Sequence, residues 1–70
     1  MVKGVVEAFG IKGTDDVEIY VFNKKLDFME HKKIKQPMKN IDAYLVKNYS
    51  NYVVRVFEYT KEEVEQWLSS

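Results

Sequence analysis

Alternation of apolar and other side chains is clearest in residues 16–23, DVEIYVFN. A period of two with β-branched and aromatic residues predicts a strand. The preceding VVEAFGI has strand composition as well, and the intervening KGTDD contains the residue types that favour turns. The two segments are therefore expected to form a β-hairpin. Gly4 and Gly10 are expected to weaken the first strand or to mark bulges in it.

The next segment, LDFMEHKKIKQP, alternates only at Leu26 and Phe28 before lysines dominate. This pattern predicts a short edge strand or an extended arm, because exposed lysines protect a sheet edge from further pairing. Pro37 ends the extended run. Apolar residues then recur at steps of three and four, which predicts one side of a helix that begins near Asn40 or Asp42 and carries Met38, Ile41, Tyr44, Leu45 and Tyr49.

Residues 51–59, NYVVRVFEY, predict another strand. Thr60 and Glu63 have the spacing of a capping box, so a short final helix is expected to follow, with Val64, Trp67 and Leu68 facing the core. The chain is thus predicted to form one α+β domain over residues 1–70. Its elements are a small, antiparallel-dominated sheet of three to four strands and two helices, in the order β-β-(β)-α-β-α.

The two sides of this sheet differ in chemistry. One side is aliphatic, with Val17, Ile19, Val21, Val54 and Val56, and a side without ionisable groups is expected to pack against the helices. The other side carries aromatic residues and two charges, namely Glu18, Tyr20, Phe22, Arg55, Phe57 and Tyr59. Three interpretations follow. In the first, another part of the chain covers this aromatic side, either the N-terminal segment, the arm from Leu26 to Gln36 or one of the helices. In the second, two copies of the protein bury this side against each other, and in the third it binds another molecule.

Composition restricts the class of protein. Seventy residues, 46% hydrophobic and with ten aromatics, are typical of a single folded domain, although a chain this short buries only about 60% of its unfolded surface. The chain has no cysteine, which excludes disulfides and thiolate zinc sites and favours a cytoplasmic setting. Its N-terminal residues do not resemble a signal peptide, and no apolar run has membrane-spanning length.

Charge suggests a second class of partner. The net charge is zero, but six lysines lie between residues 24 and 39. Aromatic side chains on an open sheet stack on bases, and nearby lysines bind phosphates, so nucleic acid is an alternative partner. Against it stand the zero net charge, the single arginine and the absence of a known nucleic-acid motif. The lysines concerned are Lys24, Lys25, Lys32, Lys33, Lys35 and Lys39.

Catalytic chemistry has little support in the sequence. His31 is the only histidine, and no serine or cysteine lies in a nucleophile motif. Asp15 and Asp16 fall in a predicted turn, where aspartate is common for structural reasons. We therefore expect no enzyme activity, no cofactor and no metal. The sequence predicts a small interaction module, an adaptor or inhibitor, that binds a protein partner or a second copy through Tyr20, Phe22, Arg55, Phe57 and Tyr59. Its size and its lysine and tyrosine content are also typical of accessory proteins of phages and mobile elements.

Overall fold

Four strands and two helices make up the chain in the computed structural model, which describes residues 1–70. The strands are β1 (Gly4–Ile11), β2 (Asp16–Asn23), β3 (Phe28–Lys35) and β4 (Tyr52–Tyr59). The helices are α1 (Ile41–Asn48), which follows a 3-10 turn at Met38–Asn40, and α2 (Lys61–Ser69). The predicted α+β fold and its order of elements are confirmed.

The sheet has the strand order β3-β2-β1-β4. β1 pairs with β2 and β2 pairs with β3, both antiparallel, whereas β4 pairs with β1 in parallel. The lysine-rich segment is therefore a full eight-residue strand at one edge, and β4 forms the other edge. Parallel strands in one sheet cannot be joined by a tight turn and need a crossover connection. The segment containing α1 is this connection, and it carries the chain from β3 at one edge to β4 at the other.

Glycine has a different role in β1 from the one expected. The pairing of β1 is regular through Gly4 and Gly10, and the only irregularity lies between β2 and β3, where Met29 has no partner opposite Val21 and Phe22. At Gly10 a Cβ atom would collide with the side chain of Met38. Glycine at this position therefore lets the turn before α1 approach the sheet closely.

The hydrophobic core lies between the sheet and α1. Its seven buried residues are Val6, Ala8, Val17, Ile19, Val21, Ile41 and Leu45. Met38, Tyr44 and Tyr49 pack partly buried against this cluster, as the helical spacing predicts. The aliphatic side of the sheet therefore does pack against a helix, but against α1 alone.

The second helix departs from the sequence-based expectation. The capping box of α2 is present, with the Thr60 side chain accepting from the Glu63 backbone and the Glu63 carboxylate accepting from the Thr60 backbone, each at 3.1 Å. However, no residue of α2 is buried, and Trp67 is 54% exposed. The predicted core position of Trp67 is wrong. Helical spacing places Val64, Trp67 and Leu68 on one side of the helix, but it does not determine whether the sheet lies beneath that side.

Candidate functional site

The side of the sheet opposite α1 has no covering layer. The molecule is only 15 Å thick between its outermost Cα atoms, which is room for one sheet and one layer of helix. The arm from Leu26 to Gln36 does not fold over this side, because residues 28–35 pair within the sheet as β3. The N-terminal segment is likewise in the plane as β1. The interpretation in which one of these segments covers the aromatic side is therefore wrong.

A continuous row of aromatic rings crosses this open side diagonally. Phe28 on β3 contacts Phe22 and Tyr20 on β2, with ring centroids 6.1 and 6.5 Å apart. Tyr20 contacts Phe9 on β1 edge-on at 5.6 Å, and Phe9 stacks on Phe57 of β4 at 4.8 Å. These five rings from four strands are called the aromatic stripe below. Aromatic pairs at such distances each contribute about 0.5–1.5 kcal/mol beyond their buried area, so the rings of the stripe stabilise one another.

Paired polar side chains lie on both sides of the aromatic stripe. On one side, Arg55 is 3.5 Å from the Glu7 carboxylate and its guanidinium lies 5.2 Å from the Phe57 ring centroid. On the other side, His31 Nε2 lies 2.9 Å from Glu18 Oε1, and the His31 imidazole stacks on Tyr20 at 4.5 Å. The open side therefore combines an apolar centre with charges of both signs at its margins.

A third pair of polar side chains, Lys35 and Asp16, lies further along the strands. Lys35 Nζ is 2.7 Å from Asp16 Oδ1, and this carboxylate raises the pKa of Lys35 above its ordinary value. Asp16 and Lys35 face each other across β2 and β3 near the end of the sheet. Both side chains are largely exposed, so the pair adds little to stability. Its effect on the site is to neutralise two charges at this corner.

The structure places the five residues predicted to bind a partner on this open side. Tyr20, Phe22 and Phe57 belong to the aromatic stripe, and Arg55 borders it. Tyr59 lies at the end of β4, where its ring contacts Trp67 edge-on at 4.8 Å.

Three other members of the site were not predicted. The missing residues are Phe9, Phe28 and His31. Phe9 was the most accessible to sequence reasoning, since alternation along β1 places it with Val5 and Glu7, opposite the small residues Ala8 and Gly10.

The six lysines of the alternative site do not lie together. Lys24 and Lys25 are in the turn between β2 and β3, and Lys39 is in the 3-10 turn beyond the opposite end of β3. Lys32 lies on the α1 side, 5.3 Å from the Tyr49 ring, and a hydrogen bond with Tyr49 raises the pKa of Lys32. Only Lys33 and Lys35 lie on the same side as the aromatic stripe, in register with Glu18 and Asp16. The structure shows no lysine track.

We also searched the chain for groups of metal ligands and for membrane-spanning helices. No group of three or more histidine, aspartate or glutamate side chains is arranged to hold a metal ion. Neither helix is long and apolar enough to cross a membrane.

Comparison with protein-family models, curated proteins and solved structures finds nothing that matches this chain. The candidate site is therefore defined by its own geometry.

Proposed function

We propose that this protein is a small, non-enzymatic protein–protein interaction module, an adaptor or inhibitor, and that the aromatic stripe binds its partner. The supporting observation is a row of packed aromatic rings on the side of the sheet that no element covers beyond the contact of Trp67 with Tyr59 at one end. At the end where β2 turns into β3 this surface is exposed, with Phe28 at 58% and Val53 at 46%. Apolar patches on small domains mark interaction sites. Aromatic residues and arginine are also the types enriched where binding energy is concentrated.

The charges at the margins favour a protein partner over nucleic acid. A surface that binds phosphates needs unpaired positive charge, and log affinity then falls steeply with log salt concentration. Of the three lysine and arginine residues that the strands carry on this side, Arg55 pairs with Glu7 and Lys35 pairs with Asp16, which leaves Lys33 alone outside a salt bridge. An apolar centre with a mixed polar rim is the usual composition of protein interfaces. We further propose a cytoplasmic location, which the lack of cysteine supports.

The test compares immobilised wild-type protein with two matched variants in quantitative affinity capture from an extract of the source cells. Phe28→Ser removes an exposed ring from the stripe, and Val46→Ser removes an apolar side chain that is 64% exposed on α1. We expect one protein to be retained by the wild type and by Val46→Ser, and to be depleted at least tenfold by Phe28→Ser. Equal retention by all three proteins would contradict the proposal.

The same experiment includes nucleic acid as a competing outcome. Capture is repeated after nuclease treatment and at about 0.1 and 0.5 M salt, a range over which phosphate contacts weaken strongly. Retention that survives both treatments supports a protein partner. Retention that is lost in both, together with binding of a labelled single-stranded oligonucleotide, would replace the proposal with the nucleic-acid alternative.

A further inference from the structure

The two edges of the sheet differ in how they are protected from further pairing. The edge strand β3 carries Lys32, Lys33 and Lys35, and its pairing with β2 is interrupted at Met29. Lysines and irregular pairing are features that keep a natural sheet edge from pairing with another strand. The other edge strand, β4, has neither, since its sequence YVVRVFEY contains no lysine or proline and pairs regularly with β1 over all eight residues. The unprotected edge of the sheet is therefore β4.

The backbone of β4 leaves a row of hydrogen-bonding groups without partners. Tyr59 accepts a hydrogen bond of 2.7 Å from the Lys12 N–H on the β1 side. Because backbone groups alternate in direction along a strand, those of every second residue, Val54, Val56 and Glu58, point to the free edge. The backbone bonds outside the helices and strands include none from these three residues, and β1 is the only neighbour of β4. The structure that satisfies such a row is another extended strand.

The side chains next to this edge are also incompletely buried. On the α1 side, Val54 and Val56 are only partly buried against the core, whereas Val6 on the neighbouring β1 is 0% exposed. On the open side, Val53 is 46% exposed. No residue of α2 is buried, and its aromatic contact with β4 is at the last residue of the strand, Tyr59. A strand added beside β4 therefore buries apolar surface on both sides of the sheet.

We infer that β4 pairs with β4 of a second copy in antiparallel orientation and joins the two four-stranded sheets into one. A two-fold axis perpendicular to the sheet reverses the strand direction, so the same residues of both copies form the contact. The edges that remain outside are then the two β3 strands. Because their lysines and irregular pairing oppose further addition, the assembly closes at two copies instead of growing.

The register of the two strands follows from their side chains. Residues that face each other must lie on the same side of the sheet, so the axis lies at a residue of β4. An axis at Arg55 brings two guanidinium groups directly opposite each other, which is unfavourable. An axis at Val56 avoids this and keeps residues 53–59 in contact, whereas axes further along the strand in either direction shorten the contact. It places Val56 opposite Val56 and Val54 opposite Glu58, and each such pair exchanges two backbone hydrogen bonds.

The same register makes the open side of β4 complementary to itself. Val53 lies opposite Tyr59 of the other copy, and Arg55 lies opposite Phe57. In its own chain Arg55 already lies 5.2 Å from the ring of Phe57, and a guanidinium group beside an aromatic ring is attracted to it. No like charges face each other directly. Because the complement to each side chain is another residue of β4, the pairing selects a second copy, and it sets the two aromatic stripes side by side on one surface.

The test is made on the full chain by sedimentation equilibrium from about 1 μM to 1 mM, a range that covers affinities typical of transient dimers. Residue-resolved amide hydrogen exchange is then compared below and above the midpoint. We expect the mass to double and the amides of Val54, Val56 and Glu58 to exchange about tenfold more slowly in the dimer. The amides of Arg55 and Phe57 bond to β1 and are already protected in the monomer. Slowing that is strongest at alternate residues therefore identifies pairing at this edge.

Two matched pairs of variants identify which edge is used. Glu58→Pro removes an N–H that points to the free edge and is expected to weaken the dimer about tenfold or more, whereas Glu58→Ala retains this N–H and leaves the dimer intact. Val53→Lys places a lysine at the β4 edge and is expected to weaken the dimer about tenfold. Met29→Lys makes the same kind of change at the β3 edge, where Met29 is 60% exposed, and leaves the dimer unchanged. Circular dichroism verifies that each variant is folded.

Two results would overturn the inference. One is a monomer at every concentration. The other is a dimer in which the amides of Val54, Val56 and Glu58 exchange as fast as in the monomer, and if Phe28→Ser weakens that dimer, the copies bury their open sides instead. Failure of the proposed function has a different signature. A monomer that retains a protein in a Phe28-dependent manner refutes only the pairing of β4, whereas retention that does not depend on Phe28 refutes the proposed function itself.

Discussion

Replacement of Leu45 by alanine tests whether the core lies entirely between the sheet and α1. Leu45 is 0% exposed, and with Ile41 it is one of only two α1 residues in the buried cluster. A Leu→Ala change at such a site costs about 3–4 kcal/mol, from lost transfer free energy and from the cavity left behind. Seventy residues give a total unfolding free energy of about 3.5–10 kcal/mol. The variant is therefore expected to lose between about a third and all of the free energy of unfolding.

Val46→Ala is the matched control for Leu45→Ala. Val46 is the next residue on α1 and is 64% exposed, so its loss creates no cavity. Alanine also has a higher helix propensity than valine, which offsets the lost contacts, and the net change is expected within about 0.5 kcal/mol. The assay is urea denaturation followed by circular dichroism, with thermal melting as a second measure. A cost below about 1 kcal/mol for Leu45→Ala, or equal costs for both variants, would refute a core on the α1 side only.

Three further predictions concern contacts that are specific to this fold. Gly10→Ala is expected to lower the unfolding free energy by about 1–3 kcal/mol through collision with Met38, and the same change should cost much less when it is made and measured by denaturation in a Met38→Ala background. Trp67→Ala is expected to cost the monomer about 1 kcal/mol, because the Tyr59 ring is the aromatic partner it loses, and a loss near 4 kcal/mol in dilute solution would contradict its exposed position. Thr60→Ala removes the cap of α2 and should lower its helicity at a cost of about 1 kcal/mol, measured by circular dichroism, whereas Thr60→Ser should retain most of the cap.

Local sequence patterns were sufficient to predict the order of the strands and helices and to identify the buried side of the sheet. Val17, Ile19 and Val21 alternate because β2 packs against α1 on one side only, and Ile41 and Leu45 are four residues apart for the same reason. These periods depend on neighbouring residues, so a single sequence is enough to find them. The capping box of α2 is equally local, since both of its partners lie within one turn.

The same patterns do not predict how elements that are distant in the sequence pack and pair with one another. Nothing local distinguishes the apolar side of α2, which is exposed, from that of α1, which is buried, because both have the spacing of a docked helix. The parallel pairing of β4 with β1 depends on the crossover through α1, and it is this pairing that brings Phe57 onto Phe9. Likewise, Lys32 and Lys33 are adjacent in sequence but lie on opposite sides of β3, which divides the lysine cluster.

The placement of large and small side chains along β1 supports the proposed binding role of the open side. A sheet with one packed side ordinarily presents polar residues on the other. Here β1 directs Ala8 and Gly10 toward α1 and Phe9 away from it, so the larger side chain lies where no second layer exists. Burying a fully exposed phenylalanine is worth about 1.5–3 kcal/mol, so the 58% exposed Phe28 alone retains about 1 kcal/mol or more of unrealised burial. The free energy of burying these exposed rings is gained only when they contact another apolar surface. Because the aromatic stripe lies outside the core, it can make that contact without any rearrangement of the core.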